Sequence, residues 1–235
     1  MNAEVKLHPG TELLNQFVQG ELATGTSVIV SAHMELCKSC CSKAKELQAL
    51  AVSAWVDPSM SAQLAEPGES SFSSMVENIV KAPQVKSEPI QDLPEVEFEV
   101  MNASISLPKV LAKAAAQGLK WQKSPGGISE ANLFLDDETQ CEFIYMAPGS
   151  RAPVHTHGGS ETTLILHGSF HDDLGEYTKS DFVVRDSQHQ HQPMTEDGCL
   201  CFAVLDSPLQ FTQGLARLLN PYNRYKFKRA VLRPA

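Results

Sequence analysis

Residues 147–161 read APGSRAPVHTHGGSE and run directly into the apolar stretch Thr162–Leu166, then His167 and Gly168. Alternate side chains of a strand point the same way, so His155 and His157, separated only by Thr156, face one side. Glu161 comes four residues later, beyond the Gly158-Gly159 bend. A second polar cluster, DFVVRDSQHQHQP at 181–193, offers His189 and His191 as further imidazoles. Two neighbouring strands can therefore present three imidazoles and a carboxylate to one ion: His155, His157, Glu161 and either His191 or His189. On ligand type alone that set holds Zn, Fe, Mn or Ni. An open coordination position there would permit catalysis or small-molecule binding.

Around this stretch the pattern is one of short strands separated by Gly, Pro, Asn and Asp. Candidate strands are Glu97–Ile105, Gly118–Gln122, Cys141–Met146, Glu161–His167, Asp181–Arg185 and Leu200–Leu205. Their spacing predicts an antiparallel barrel or sandwich over 96–235. Residues 108–117 read as a short helix or a loop, and 208–219 as a further helix. Cys199 and Cys201 share one strand face and read as barrel-core thiols. Phe143 and Tyr145 read as core, and His167 and His171 as structural or surface residues.

Upstream, APQVKSEPIQDLPE at 82–95 carries three prolines and no periodic pattern, which predicts a linker. Residues 1–81 read as helical. Leu13, Leu14, Phe17 and Val18 form one apolar stripe; Val28 to Cys37 forms a second helix; a third carries Leu47, Leu50 and Ala51 on one side. Phe72, Met75, Val76, Ile79 and Val80 mark a fourth. Four short helices give a thin core, and such a domain often needs a metal or a partner. His33, Cys37 and Cys40 are spaced four and three apart, so their side chains fall on one helical face, or converge if the chain bends at Cys37. With His8 arriving from the N-terminal arm they make a two-imidazole, two-thiolate set suited to tetrahedral zinc. The alternative is a metal-free Cys-x-x-Cys redox pair. Cys41 points off the shared face and reads as buried or free.

The chain has 235 residues, 42% hydrophobic and 20% charged, with net charge −9. No segment is strongly basic, which speaks against direct nucleic-acid binding; the tail Arg224–Arg233 reads as a solvated terminal segment. No apolar run is long enough to span a membrane, and the start, MNAEVKLHPG, has no signal-peptide core. Both observations point to the cytoplasm, where the six cysteines are more naturally ligands or core residues than disulfides.

Gly149, His155, His157, Glu161 and Gly168 fit the first cupin motif, G-x5-H-x-H-x(3,4)-E-x6-G. The second motif is degenerate around Gly175, Asp181 and Arg185, but His191 and Pro193 resemble its usual ligand position and favour His191 over His189. A helical His…His-x3-Cys-x2-Cys domain followed by a cupin resembles the ChrR family of zinc-dependent anti-sigma factors, over nearly the whole chain. The resemblance implies an all-α zinc domain (1–81) and an all-β jelly-roll barrel (96–235). It implies zinc at His8, His33, Cys37 and Cys40, and metal at His155, His157, Glu161 and His191. It also implies an extracytoplasmic-function (group IV) sigma factor as partner, held by the N-terminal domain and released under singlet-oxygen or organic-hydroperoxide stress through the cupin. The extra Cys41 has no role assigned by the resemblance. The competing expectation is a cupin metal-dependent dioxygenase with a regulatory appendage.

Overall fold

The computed structural model describes residues 5–55, 69–82, 97–100, 103–116 and 118–232. Helices α1 (Thr11–Gln19), α2 (Thr24–Leu36), α3 (Lys38–Trp55) and α4 (Glu69–Lys81) precede a β-rich half. The expected linker lies outside the described residues except for Ala82. Gly20 ends α1 in the left-handed region (φ 74°), its N–H reaching back to Gln16 and Phe17, a conformation that favours glycine.

The β-rich half contains β1 (Glu97–Val100), β2 (Ala103–Ser106), α5 (Lys109–Ala115), β3 (Gln122–Ser124), β4 (Ile128–Leu133), β5 (Gln140–Met146) and β6 (His155–His157). It continues with β7 (Glu161–Asp172), β8 (Gly175–Thr178), β9 (Phe182–Arg185), β10 (Gln190–His191), β11 (Cys199–Leu205) and β12 (Leu209–Phe211). A 3-10 turn (Leu215–Leu219) and helix α6 (Asn220–Val231) close the chain. The larger sheet runs β3-β4-β5-β11-β7-β8, with β9 also paired to β7, and a second sheet runs β10-β6-β12. All these pairings are antiparallel. The architecture is the expected one: a helical N-terminal part followed by a cupin-like barrel.

Three expectations about elements change. The segment 97–105 is two strands paired as a hairpin, Glu97 opposite Ser106, rather than one. The expected strand at 118–122 begins only at Gln122, because Gly118 holds a left-handed φ of 89° that turns the chain first. Residues 208–219 are not a helix: Leu209–Phe211 pairs with His157–His155 as strand β12, and Gly214 (φ 62°) turns the chain before the 3-10 segment. The helix comes later, in the basic tail, where Pro221 occupies the first turn and loses no helical hydrogen bond.

Strand β11 reads CLCFAVL and every residue of it is buried. It lies between β5 and β7, and both its faces are covered. Cys199 and Cys201 point into the barrel with Ile165, Phe170, Tyr177 and Val183. Leu200, Phe202 and Val204 point out and pack with Phe143, Leu164 and Phe182 against Ile29, Val30 and Ala32 of α2 and Leu111 of α5. A strand covered on both faces reads as a continuous apolar run rather than an alternating one. The first helices and the barrel's outer face thus share one hydrophobic core.

Three carboxylates lock this contact. Asp136, from the β4–β5 connection, accepts the Gly25 N–H at 2.6 Å in the first turn of α2. Glu35, near the end of α2, accepts the Lys109 and Val110 N–H groups at 2.6 and 3.1 Å, capping α5. Asp181 accepts the Lys6 and Leu7 N–H groups at 2.7 and 3.0 Å. Each carboxylate stands at donors that would otherwise go unmet, and the two at helix N-termini also meet the favourable end of the helix dipole.

Candidate metal centres

The N-terminal group forms where α2 ends. Cys37 leaves helical geometry (φ −123°, ψ 103°) while its N–H still bonds the His33 carbonyl. The chain re-enters a helix at Lys38, so Cys40 stands in the first turn of α3 and Cys37 immediately before it. His33, Cys37 and Cys40 are buried and His8 is exposed. One donor atom from each of the four lies within 4.8 Å of the others.

Distances and orphaned atoms fit a metal. His8 Nδ1 lies 3.5 Å from Cys37 Sγ and 3.4 Å from Cys40 Sγ. A zinc tetrahedron with Zn–S of ~2.3 Å and Zn–N of ~2.0–2.1 Å has N···S edges of about 3.5–3.6 Å. Both ring nitrogens of His33 are buried and neither makes a well-formed hydrogen bond, although the Ser180 backbone is near enough to act on the imidazole, a costly arrangement unless an ion takes up one of them. Burial, with His8 beside it, pulls the His33 pKa down to about 4, so the imidazole stays neutral and ready to coordinate. Burial and the neighbouring Cys37 push the Cys40 thiol up to about 12, so binding an ion must displace protons. This group could hold a metal, and its two thiolates and two imidazoles are consistent with zinc.

The second group sits inside the barrel. His155 and His157 come from β6, Glu161 opens β7, and His191 lies on β10 opposite His155. All four are buried with donor atoms within 4.8 Å. His157 Nε2 is 3.3 Å from His191 Nε2 and 3.0 Å from Glu161 Oε2; tetrahedral N···N edges for the same Zn–N bonds are about 3.3–3.4 Å. His155 Nδ1 donates to the Pro153 carbonyl (2.8 Å) and His191 Nδ1 to Asp172 Oδ2 (2.9 Å). Both leave their Nε2 lone pairs free, the usual outer support of metal-bound histidines. Burial and the facing His191 lower the His155 pKa to about 4. Burial alone would raise that of Glu161, but the surrounding His157, His155 and His191 bring it down to about 2.

His189 is outside this group: its Nδ1 turns to Asp186 at 2.8 Å on the surface. Cys141, Cys199 and Cys201 are buried and Cys41 half-buried, all as free thiols. The supports of these ligands carry no signal in the sequence. Asp172, which holds His191, also takes the Tyr177 hydroxyl and lies 3.7 Å from Arg185. It follows His171 in a polar run with no spacing signal. Beside His155, Glu161 and His191 opens a cavity of about 250 Å³ walled by Ile144, Met146, Phe170, Leu209 and Phe211. Lys226 of α6 also lines it, 2.8 Å from both Glu130 and Glu142.

One surface feature belongs to neither centre. Phe72, Met75, Val76, Ile79 and Val80 of α4 are 41–70% exposed. Among the described residues none of them joins either core cluster. No helix among the described residues is long and apolar enough to cross a membrane.

Comparison with known proteins bears on both halves. Residues 111–207 match the family described as ChrR Cupin-like domain. The chain is similar to the anti-sigma-E factor ChrR of Cereibacter sphaeroides, 25% identical over 94% of this chain and 99% of that protein. Its fold matches a chain of the crystal structure of Rhodobacter sphaeroides SigE in complex with the anti-sigma ChrR, with a TM-score of 0.63 and 24% identity, covering 86% of this chain and all of the other. The likeness to the ChrR family seen in the motifs therefore extends through the helical part and the barrel together.

Proposed function

We propose that this chain is an anti-sigma factor, a non-enzymatic regulator that sequesters an extracytoplasmic-function sigma factor in the cytoplasm. The observation that carries the reading is similarity to an anti-sigma factor from end to end, helical part included. Similarity confined to the barrel would say little, since one fold hosts many functions. The exposed apolar face of α4 supplies what such a partner needs: anchors at i, i+3, i+4, i+7 and i+8 of one helix. Zinc at His8, His33, Cys37 and Cys40 fixes the α2–α3 corner, and a divalent metal (Zn, Fe, Mn or Ni) sits at His155, His157, Glu161 and His191. The helical unit spans 1–81 and the barrel 96–235.

Release under oxidative stress, by singlet oxygen or an organic hydroperoxide, is the finer part of the proposal. Contacts at the two ends of β9 support this reading. Arg185, at one end, contacts Tyr177 and Asp172 beside His191. Phe182, at the other, packs edge-on against His33 with ring centroids 5.3 Å apart. The four-residue strand β9 thus touches the surroundings of both groups. The test is a reporter for the partner sigma factor in cells carrying the chain. Replacing the four barrel ligands is expected to keep the reporter silent under stress while basal repression persists. Unchanged induction would exclude the barrel as the sensor.

A further inference from the structure

Of the four N-terminal donors, His33 and Cys40 stand on helices and Cys37 at the junction between them, and His8 alone lies on the N-terminal arm. Residues 5–10 have no regular secondary structure, and the imidazole is exposed. Something must nevertheless hold it over Cys37 and Cys40, and the barrel does so. Leu7 flanks His8, and its carbonyl accepts the Phe182 N–H at 3.0 Å. The Lys6 and Leu7 amides both point into Asp181 Oδ1, at 2.7 and 3.0 Å. Asp181 is fully buried. Its other oxygen is committed to the Thr178 N–H at 2.8 Å and the Thr178 hydroxyl at 3.2 Å. The turn that presents it is tied to β7 on both sides, by Ser180 N–H to the Ile165 carbonyl and Ile165 N–H to the Asp181 carbonyl. A buried carboxylate with four donors on it is a rigid peg, and the His8 arm hangs on that peg.

We infer that Asp181 is a positioning residue of the N-terminal metal centre: a barrel side chain that seats His8 and so gives the barrel control over how tightly the helical part holds its metal. The inference rests on His8, His33, Cys37 and Cys40 being that centre. Without the peg, His8 lies on a tether that samples other positions, and the ion is left on His33 and two thiolates with a place open to water or chelator. Partners outside the ligand set typically change metal affinity by about 10–100-fold.

The experiment uses the full chain loaded with cobalt(II), whose thiolate charge-transfer band reports Cys37 and Cys40, and with zinc titrated against a chromophoric chelator. Asp181→Asn leaves a single acceptor oxygen and turns an amide N–H2 toward donors. Lys6→Pro removes one arm donor and leaves every barrel residue in place, which keeps the test valid if Asp181→Asn folds poorly. Each variant is expected to weaken the thiolate-containing site about 10–100-fold and to leave the other site unchanged. In a His8→Ala background, Asp181→Asn is expected to add clearly less loss than in the parent, because its hydrogen bonds hold the His8 arm. Thiolate-site affinity within twofold of the parent in both variants overturns the inference. So does an equal additional loss in the His8→Ala background, which would make Asp181 a general stability residue. Wild-type affinity and spectrum in His8→Ala alone would instead sink the ligand assignment on which the inference stands.

Discussion

Replacing Gly25 by alanine sets two known effects against each other, and the structure decides between them. Gly25 lies in the first turn of α2, where alanine ordinarily stabilises a helix by roughly 0.5–1 kcal/mol. Here a methyl group would fall well inside contact distance of Thr139 Oγ1 and Cys141 Sγ, and 3.4 Å from Asp136 Oδ2. Neither clashing side chain can swing away freely. Cys141 is fully buried, and Thr139 donates its hydroxyl to Asp136 Oδ1 at 2.9 Å. That same Asp136 caps α2 through the Gly25 N–H, so relief of the clash loosens the cap as well. Overpacking of this kind costs about 1–3 kcal/mol and losing a cap about 1. Against the helix gain, Gly25→Ala should destabilise the zinc-loaded chain by about 1–3 kcal/mol, a factor of roughly 5–150 in the folded-to-unfolded ratio. Urea unfolding at fixed free zinc measures it. A stabilised variant would refute the intimate packing of α2 on the barrel, since a helix standing free would benefit from the change.

Further outcomes follow from individual contacts. Lys226→Met strips the counter-charge from buried Glu142 and should cost about 3 kcal/mol near neutral pH. Burial already raises the Glu142 pKa even with Lys226 beside it, so protonation should shrink that loss as pH falls, and Glu142→Gln in the same background should restore stability in chemical denaturation. Burial would raise the Asp136 pKa, but the Gly25, Thr139 and Glu138 amides hold it below the usual carboxylate range. Its contribution is therefore present above the unfolded-state value and lost as pH falls through the folded one. The stability gap between the parent and Asp136→Asn, measured by denaturation, should narrow from about pH 6 to about pH 3; a constant gap would refute the carboxylate's role as an anionic cap. Cys40→Ser should cost the thiolate site its zinc and melt the α2–α3 corner, seen as lost helical circular dichroism and lost sigma-factor binding; zinc loss with normal binding would separate metal from grip.

Much of this was legible in the sequence where local chemistry determines it. His155-Thr-His157 with Glu161 needs only strand alternation and a glycine bend to converge, and His33, Cys37 and Cys40 need only a helix that breaks and restarts. The apolar run of β11 was visible too, but not that its second face packs on α2 from far away in the chain. Asp136, Asp172 and Asp181 were illegible as supports for the same reason: each acts on residues distant in sequence, and an isolated aspartate in a turn looks alike whether it caps a helix or faces water. The helix in the tail leaves little trace in the sequence because it is polar and largely exposed, with Lys226 its ionic contact to Glu130 and Glu142, so hydrophobic periodicity is faint there.

The proposed role rests most directly on the affinity of the full zinc-loaded chain for the group IV sigma factors of its own cell, each purified and titrated by calorimetry, with and without a strong zinc chelator and with Ile79→Asp on the exposed face of α4. One sigma factor is expected to bind tightly, to be lost from the chelated chain, and to bind at least tenfold more weakly to Ile79→Asp. A folded, zinc-loaded chain that binds none of them would contradict the anti-sigma assignment.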